Sequence, residues 1–461
     1  MKTAVVLAAG TGKKMWPYSD YWPKAALPIG GRPNVERLVQ QLQTLDFERI
    51  IVAVDYLERR LRYVLEGIRG VDIVSVSRPN GTADTLEQVI GAVADENLLV
   101  VYGDIVLTQQ TLTEFVQRYR KEGCDALLLA TPLAGERAQD WFCARSTATG
   151  KVAHIYGHPR PHYVDHRLLG VYAVRTENVC RALRKNPGTM LDVSVGVMPP
   201  LEAELEQSLQ LLVEAGDDVQ LHTAASGAVD LDKPWHLLEA NQLIALDEVA
   251  TLTESDIPAT ATIHPTAEIA GNVVLGEGVT IGRNVYIKGN AVIGAGTVID
   301  NGAVIGENVV IGKHCSVENY CHIGACSCIG GRSRVGHCAE FQGVMFPNVS
   351  FIHYGEVFGV VGTSTDIAAG VTVGIARFDD SAQRQVVNGR VETPTSFGNA
   401  VYIGDYTRTG IASQFMPGVK IGSNCAIGPA VVVQKDVPSQ TLLYAEQTVV
   451  QKPWGSERYG W

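Results

Sequence analysis

Two glycines and two lysines directly follow an apolar stretch in the run Leu7-Ala8-Ala9-Gly10-Thr11-Gly12-Lys13-Lys14-Met15. Pro23-Lys24 and Pro28-Ile29-Gly30-Gly31-Arg32-Pro33 come soon after. Glycines behind a first strand let backbone amides approach phosphate oxygens, and lysines add point charges, so the stretch suits a phosphorylated ligand. A lone Gly-x-Gly also serves as a tight turn. The spacing excludes a P-loop, which needs Gly-Lys-Ser or Gly-Lys-Thr after four intervening residues. A different chemistry is suggested by Cys315, Cys321, Cys326, Cys328 and Cys338, which crowd together with His314, His322 and His337. Side chains at that end of the chain stack about eighteen residues apart, and no two of these cysteines have that spacing. Packing, rather than a metal or a disulfide, is the expectation.

The elements that position the glycine loop alternate. Strands are predicted over 3–8, 49–54, 71–76 and 97–102, and helices over 35–45, 57–68 and 82–93. Such alternation means a mainly parallel sheet covered by helices, with ligands at the carboxyl ends of its strands. The loop after the first strand and Gly103-Asp104 after the fourth are therefore where chemistry belongs. A further helix is predicted over 232–246, carrying the chain out of this α/β region.

From Ile263 the period changes to six: Ile269, Leu275, Ile281, Ile287, Ile293, Ile299, Ile305 and Ile311 continue to Phe341, with a small residue two places before each. Period six fits neither a helix nor one long strand. It fits a parallel β-helix of hexapeptide repeats, in which short strands alternate with tight turns. The hexads lose phase after Phe341, resume at Ile367 and Val373, and are broken by a polar excursion over 375–400. A long loop leaving a regular β-helix covers a site or clasps a neighbouring subunit. The expected division is an α/β domain over 1–231, a helical linker over 232–258, a β-helix over 259–441 and a tail over 442–461.

The totals agree with two cores and a linker: 461 residues, 46% of them hydrophobic. A net charge of -11 with dispersed Lys and Arg offers no basic stripe for nucleic acid. No apolar run is long enough to span a membrane, and the N-terminus enters a strand without a cleavage-type pattern, so a soluble cytoplasmic protein is expected.

The glycine loop with Pro23-Lys24 resembles the signature of sugar-1-phosphate nucleotidylyltransferases. Asn80-Gly81-Thr82-Ala83 is similar to that family's base-binding loop, Gly103-Asp104 to its metal aspartate, and Asp230-Leu231-Asp232-Lys233-Pro234-Trp235 to its second metal aspartate before a helix. With hexapeptide repeats behind it, the chain up to the tail resembles the bifunctional nucleotidylyltransferase and acyltransferase proteins that make UDP-N-acetylglucosamine, the archaeal type above all. The resemblance implies a Rossmann-like nucleotidyltransferase domain followed by a left-handed β-helix that assembles homotrimers. It implies a nucleoside triphosphate and a sugar 1-phosphate as substrates, UTP and N-acetylglucosamine 1-phosphate first, then glucose 1-phosphate with dTTP or UTP. Met15-Trp16-Pro17-Tyr18-Ser19 faintly resembles mannose 1-phosphate guanylyltransferases. Nucleotide contacts fall on Leu7, Ala8, Ala9, Gly10, Gly12, Gly81 and Thr82, a sugar contact on Gly170, Mg²⁺ on Asp104 and Asp230, and charge stabilisation on Lys14 and Lys24.

The chain departs from that pattern at several places. Lys14 stands where arginine is usual, which loses a bidentate fork and keeps the charge. Gly157-His158-Pro159 replaces Glu-Lys-Pro, and Leu168 replaces the asparagine before Gly170. In the β-helix, Asn348 stands where the acyltransferases carry a general-base histidine, and Ile375 where they carry a later asparagine. Asparagine takes no proton at neutral pH. Acyl transfer from acetyl-CoA would then need a rearranged site around His353. The alternative classes are a sugar-nucleotide-binding or regulatory protein without turnover, and such a rearranged acyltransferase.

Overall fold

A computed structural model describes residues 1–133, 137–186, 188–190, 201–224 and 227–455. The end of the expected tail, 456–461, lies outside them. Val71–Ser75, Arg49–Val54, Thr3–Ala8 and Asn97–Tyr102 lie side by side and parallel; the last three carry the near-continuous apolar runs of strands covered on both faces, while Val71–Ser75 is the partly exposed edge. His166–Arg175 continues the sheet antiparallel to Asn97–Tyr102 and carries Ala126–Pro132 and Phe142–Ser146 beside it. Ala4 and Val6 pack on one face with Val35, Leu38, Leu112 and Phe115; Val5 and Leu7 pack on the other with Leu86 and Val89. The expected helices form at Asn34–Gln43, Glu58–Leu65 and Thr82–Ile90.

The helix predicted over 232–246 starts later, at His236–Ile244, and runs on into a wider turn at Ala245–Val249. Pro234 has no N–H to give. The amides of Asp232 and Lys233 instead donate to His236 Nδ1, at 3.1 and 3.2 Å, which holds this stretch out of the helix.

The hexads form a stack of parallel strands. Val298 and Ile299 pair with Thr280 and Ile281 before them and with Ser316 and Val317 after, one coil being eighteen residues. Ile281, Ile287, Ile293, Ile299, Ile305 and Ile311 fill the interior. His314, Cys326, His337 and Cys338 have positive φ values of 55°, 56°, 51° and 62°, so they sit in left-handed turn slots at the corners. No three of the cysteines and histidines of this stretch are grouped so as to hold a metal ion among the described residues, and Cys315, Cys321 and Cys328 are buried free thiols.

The phase loss after Phe341 is a shortening, not an irregularity. Val335 pairs with Phe351 and Phe351 with Ile367, a coil of sixteen residues. Two corners have been replaced by straight strands, Ala339–Met345 and Gly355–Val361, paired residue for residue. Stacked glycines permit this: a Cβ on Gly343 would lie 2.0 Å from the Gly359 carbonyl oxygen, and one on Gly359 would lie 1.9 Å from that of Val401.

One face of the β-helix is covered by the α/β region. Cys328, Val344, Val360 and Tyr402 point outward from it into the cluster that contains Met15, Tyr18, Trp22 and Leu27. Their neighbours Ile329, Met345, Val361 and Ile403 point inward. Tyr18 OH donates to the Val360 carbonyl at 2.8 Å, Trp22 Nε1 to Asp405 Oδ1 at 3.2 Å, and Phe346 packs against both rings. The excursion over 375–400 holds a hairpin, Gln385–Val387 with Arg390–Glu392, and it too lies against the α/β region. Ser396 hydrogen-bonds Glu239, and Glu392 pairs with Lys233 at 3.0 Å.

Candidate active site

The carboxyl ends of the central strands converge, as the α/β reading requires. Gly103 N donates to the Leu7 carbonyl at 2.8 Å, tying the Asp104 turn to the glycine loop. Gly12 has φ 63°, and a Cβ there would lie 2.5 Å from Lys24 Cγ, so the glycine makes room for Lys24 beneath the loop. Asp230 ends a short strand, Ala228–Asp230, antiparallel to Ile105–Leu107, and Leu231 N donates to the Asp104 carbonyl at 3.0 Å. Residues 126 positions apart in the chain are thereby neighbours.

Lys24 Nζ lies 3.2 Å from Asp104 Oδ2 and 3.3 Å from Asp232 Oδ1, and Lys14 Nζ lies 3.3 Å from Asp232 Oδ2. Asp232 also takes Lys233 Nζ at 2.8 Å. Burial opposes its charge, yet Lys24, Lys14 and Lys233 outweigh burial and hold its carboxyl well below the usual range. Asp230 is the opposite case: burial and the charge of Asp104 push it up to about 7, against the pull of Lys24. Burial drives the His236 imidazole down to about 3, so it is neutral and its Nδ1 accepts the two backbone amides.

Asp232 is the residue that sequence reasoning passed over. Its signal was a second carboxylate two residues from Asp230 in Asp230-Leu231-Asp232; the backbone turns tightly between them, Asp232 N donating to the Asp230 carbonyl at 2.9 Å, while Leu231 is buried.

The other expected residues lie around this centre. At Gly81, φ is 100° and a Cβ would come 2.4 Å from the Ala203 carbonyl oxygen. Ala203 N donates to the Asn80 carbonyl at 2.9 Å, and Ala83 N donates to the Ala203 carbonyl at 2.8 Å. Thr82 Oγ1 donates to Glu204 Oε2 at 2.6 Å and accepts from Leu205 N at 2.8 Å. Gly170 is buried with φ 63°, its Cα against the Tyr102 ring, and the Tyr102 hydroxyl lies 3.2 Å from Thr82 Oγ1. Tyr102 and Tyr172 both donate to Glu206 Oε1, at 2.9 and 2.6 Å, and burial pushes that carboxyl up to about 7. Arg167 stacks on Trp141 at 3.4 Å, and Trp141 in turn lies against His236. His158 Nδ1 is 2.9 Å from the Gln139 carbonyl oxygen.

The residues expected at an acyl-transfer site are apart from this cleft. His353 is exposed on a corner of the β-helix, stacked on His337 with ring centroids 5.7 Å apart. Asn348 occupies a left-handed turn with φ 64° and accepts from Arg332 Nε at 2.8 Å. Ile375 is half exposed at the start of the excursion.

Residues 4–175 match the MobA-like NTP transferase domain, and residues 252–337 match the GMPPB C-terminal domain. The α/β half is thus similar to nucleotidyltransferase domains. Over 97% of its length the chain resembles the bifunctional protein GlmU of two archaea: Methanococcus vannielii (23% identical, 99% of that relative covered) and Methanocaldococcus jannaschii (24%, 98% covered). GlmU of Synechococcus sp. strain CC9902 is 33% identical over 29% of this chain and 30% of its own length. A solved UDP-glucose pyrophosphorylase complexed with UDP-glucose superposes at a TM-score of 0.45 with 16% identity, over 52% of this chain and 97% of its own.

Proposed function

We propose that this chain transfers a nucleotidyl group from a nucleoside triphosphate to a sugar 1-phosphate, giving an NDP-sugar and pyrophosphate. The observation that carries the reading is the side-by-side placement of Asp104 and Asp230 beneath the glycine loop, with Lys24 reaching both Asp104 and Asp232.

A phosphate oxygen of the sugar 1-phosphate attacks the α-phosphorus, the new P–O bond forms as the bond to the β-phosphate oxygen breaks, and the electron pair leaves with pyrophosphate. The attacking oxygen is already deprotonated at neutral pH, so no general base is needed. Catalysis is positioning and charge neutralisation. The amides of Ala9, Gly10 and Gly12 face the phosphates, while Lys14 and Lys24 place positive charge on them. Gly81 and Thr82 lie on the base side, and Gly170, behind Tyr102, on the sugar side.

The residues fit a divalent cation. Asp104 and Asp230 are two carboxylates whose mutual repulsion a cation relieves, and Mg²⁺ is commonly held by one or two carboxylates together with substrate phosphates. When bound there, Mg²⁺ neutralises phosphate charge.

The preferred pair is UTP with N-acetylglucosamine 1-phosphate, from the archaeal relatives; glucose 1-phosphate with dTTP or UTP is next. The protein is proposed to be cytoplasmic, and among the described residues no helix is long and apolar enough to cross a membrane. A homotrimer through the β-helix is proposed to use the surface that the α/β region leaves open. The experiment is pyrophosphate release by purified protein with Mg²⁺, a panel of nucleoside triphosphates and a panel of sugar 1-phosphates, GTP with mannose 1-phosphate included. Turnover with one pair, abolished by Asp104→Ala, is expected. No turnover with any pair overturns the reading.

A further inference from the structure

A continuous line of ion pairs leaves the β-helix and ends at the candidate metal aspartate. Glu392 lies 3.0 Å from Lys233, Lys233 lies 2.8 Å from Asp232, and Asp232 lies 3.3 Å from both Lys14 and Lys24. Lys24 then reaches Asp104 at 3.2 Å. The Lys233 side chain is 4% exposed, so Glu392 and Asp232 carry the burden of a cation largely removed from water.

The hairpin that brings Glu392 is hydrogen-bonded at its root and closed by a tight turn at its tip. At its root Gln385 is fully buried, donating to the Gly398 and Gly418 carbonyls at 2.9 Å each and accepting from Lys420 Nζ at 2.7 Å. At its tip Asn388 and Gly389 have φ of 46° and 76°, the backbone of a two-residue hairpin turn that matches strand twist. Between the hairpin and the glycine loop is a cavity of about 130 Å³, lined by Lys13, Lys14, Trp16, Pro234, Val386 and Asn388 among others. Lys13 and Lys14 give its wall the positive charge that a diphosphate needs. The Lys13 side chain lines this cavity without a hydrogen bond or ion pair among the described residues.

We propose that the excursion from the β-helix is a wall of the nucleotidyl site. Its cavity takes the diphosphate end of the triphosphate, and Glu392 is a positioning residue that acts through Lys233 to keep Asp232 on Lys14 and Lys24. The proposal rests on the nucleotidyl-transfer reading and deepens it: the C-terminal half completes the N-terminal site within one chain. Without Glu392, Lys233 draws on Asp232 alone and competes with the two lysines that face the phosphates.

The test uses the full chain with inorganic pyrophosphate and UTP as probes, binding read by calorimetry and turnover by pyrophosphate release. Val386 is 52% exposed on the cavity wall, so its replacement leaves the core intact. Val386→Glu is expected to weaken pyrophosphate binding roughly fivefold and Val386→Lys to strengthen it roughly threefold, both shifts shrinking as salt rises. Glu392→Gln is expected to raise KM for the triphosphate about tenfold while KM for the sugar 1-phosphate stays, with Glu392→Asp restoring most of it. Pyrophosphate binding indifferent to charge at Val386, or a Glu392→Gln effect confined to melting temperature, overturns the proposal. Turnover by the native chain with unresponsive Val386 variants keeps the transferase reading and sinks the wall. No turnover with any pair, alongside binding that follows charge at Val386, sinks the transferase reading and keeps the anion site.

Discussion

Lys24 Nζ stands 3.2 Å from Asp104 Oδ2, at the meeting point of the glycine loop and the fourth parallel strand. Burial disfavours the Lys24 ammonium, but Asp104, Asp232 and Asp230 raise its pKa above the ordinary lysine value, so it is a permanent cation at the phosphate position. Replacing Lys24 with Met leaves three acidic groups without their shared counter-charge and removes a fixed stabiliser of the departing pyrophosphate. Turnover is expected to fall on the order of 10²- to 10³-fold, measured as pyrophosphate release at saturating substrates. A variant retaining more than a third of native turnover would remove Lys24 from the mechanism.

Asp232 gathers three lysines, so Asp232→Asn leaves partly buried positive charges facing one another. Breaking such a set by removing one partner costs about 3 kcal/mol. Urea denaturation is expected to show a loss of that order, with weaker triphosphate binding because Lys14 and Lys24 lose their anchor. Equal stability of the variant and the native chain would show that the lysines are held by something else.

The alternation of strands and helices was legible because apolar periodicity survives burial on both faces, and the loops at Gly10-Thr11-Gly12 and Gly103-Asp104 followed from it. The hexads were legible for the same reason. Packing of the two halves was not, although Cys328, Val344, Val360 and Tyr402 each precede an inward-facing residue and are themselves apolar where a solvated face would be polar. The hairpin also carried its own signal, Asn388-Gly389, hidden by the polar composition around it. Lys14 and Lys24 reach Asp232 across more than two hundred residues of chain, and no local pattern reports such contacts.

Asp405 supplies a pH dependence at the joint between the halves. It is fully buried, accepts from Thr363 N at 2.6 Å and from Trp22 Nε1 at 3.2 Å, and burial pushes it up to about 6 against those bonds. A carboxyl with a raised folded-state pKa makes the native state bind more protons than the unfolded one between the two values. Its contribution is therefore full below the ordinary value of 3.8 and is lost as pH rises through about 6. The difference amounts to at most about 3 kcal/mol. Asp405→Asn is expected to flatten this component, seen by subtracting its stability profile between pH 4 and 7 from the native one. Parallel profiles would place the titration elsewhere.

The two shortened coils make a prediction about the β-helix alone. At Gly343 φ is 132° and at Gly359 it is 149°, backbone conformations that a side chain resists, and the carbonyl of the next coil stands where a Cβ would go. Because that atom is backbone, relief requires the coils to move apart and breaks the pairing of Ala339–Met345 with Gly355–Val361. Gly343→Ala and Gly359→Ala are each expected to cost more than about 4 kcal/mol, the range reserved for strain and core disruption. Gly389→Ala, with positive φ but nothing within 4 Å of its Cβ, isolates the conformational part and is expected to cost about 1 kcal/mol. The measurement is the midpoint of urea unfolding for the three variants. Since Val344 and Val360, the residues just beyond these glycines, form the surface on which Tyr18 and Trp22 rest, the first two variants should also lose pyrophosphate release more steeply than the third. Stable coils with alanine at 343 or 359 would mean that the corner can be rebuilt with its missing turn, and that the sixteen-residue spacing is not imposed by the glycines.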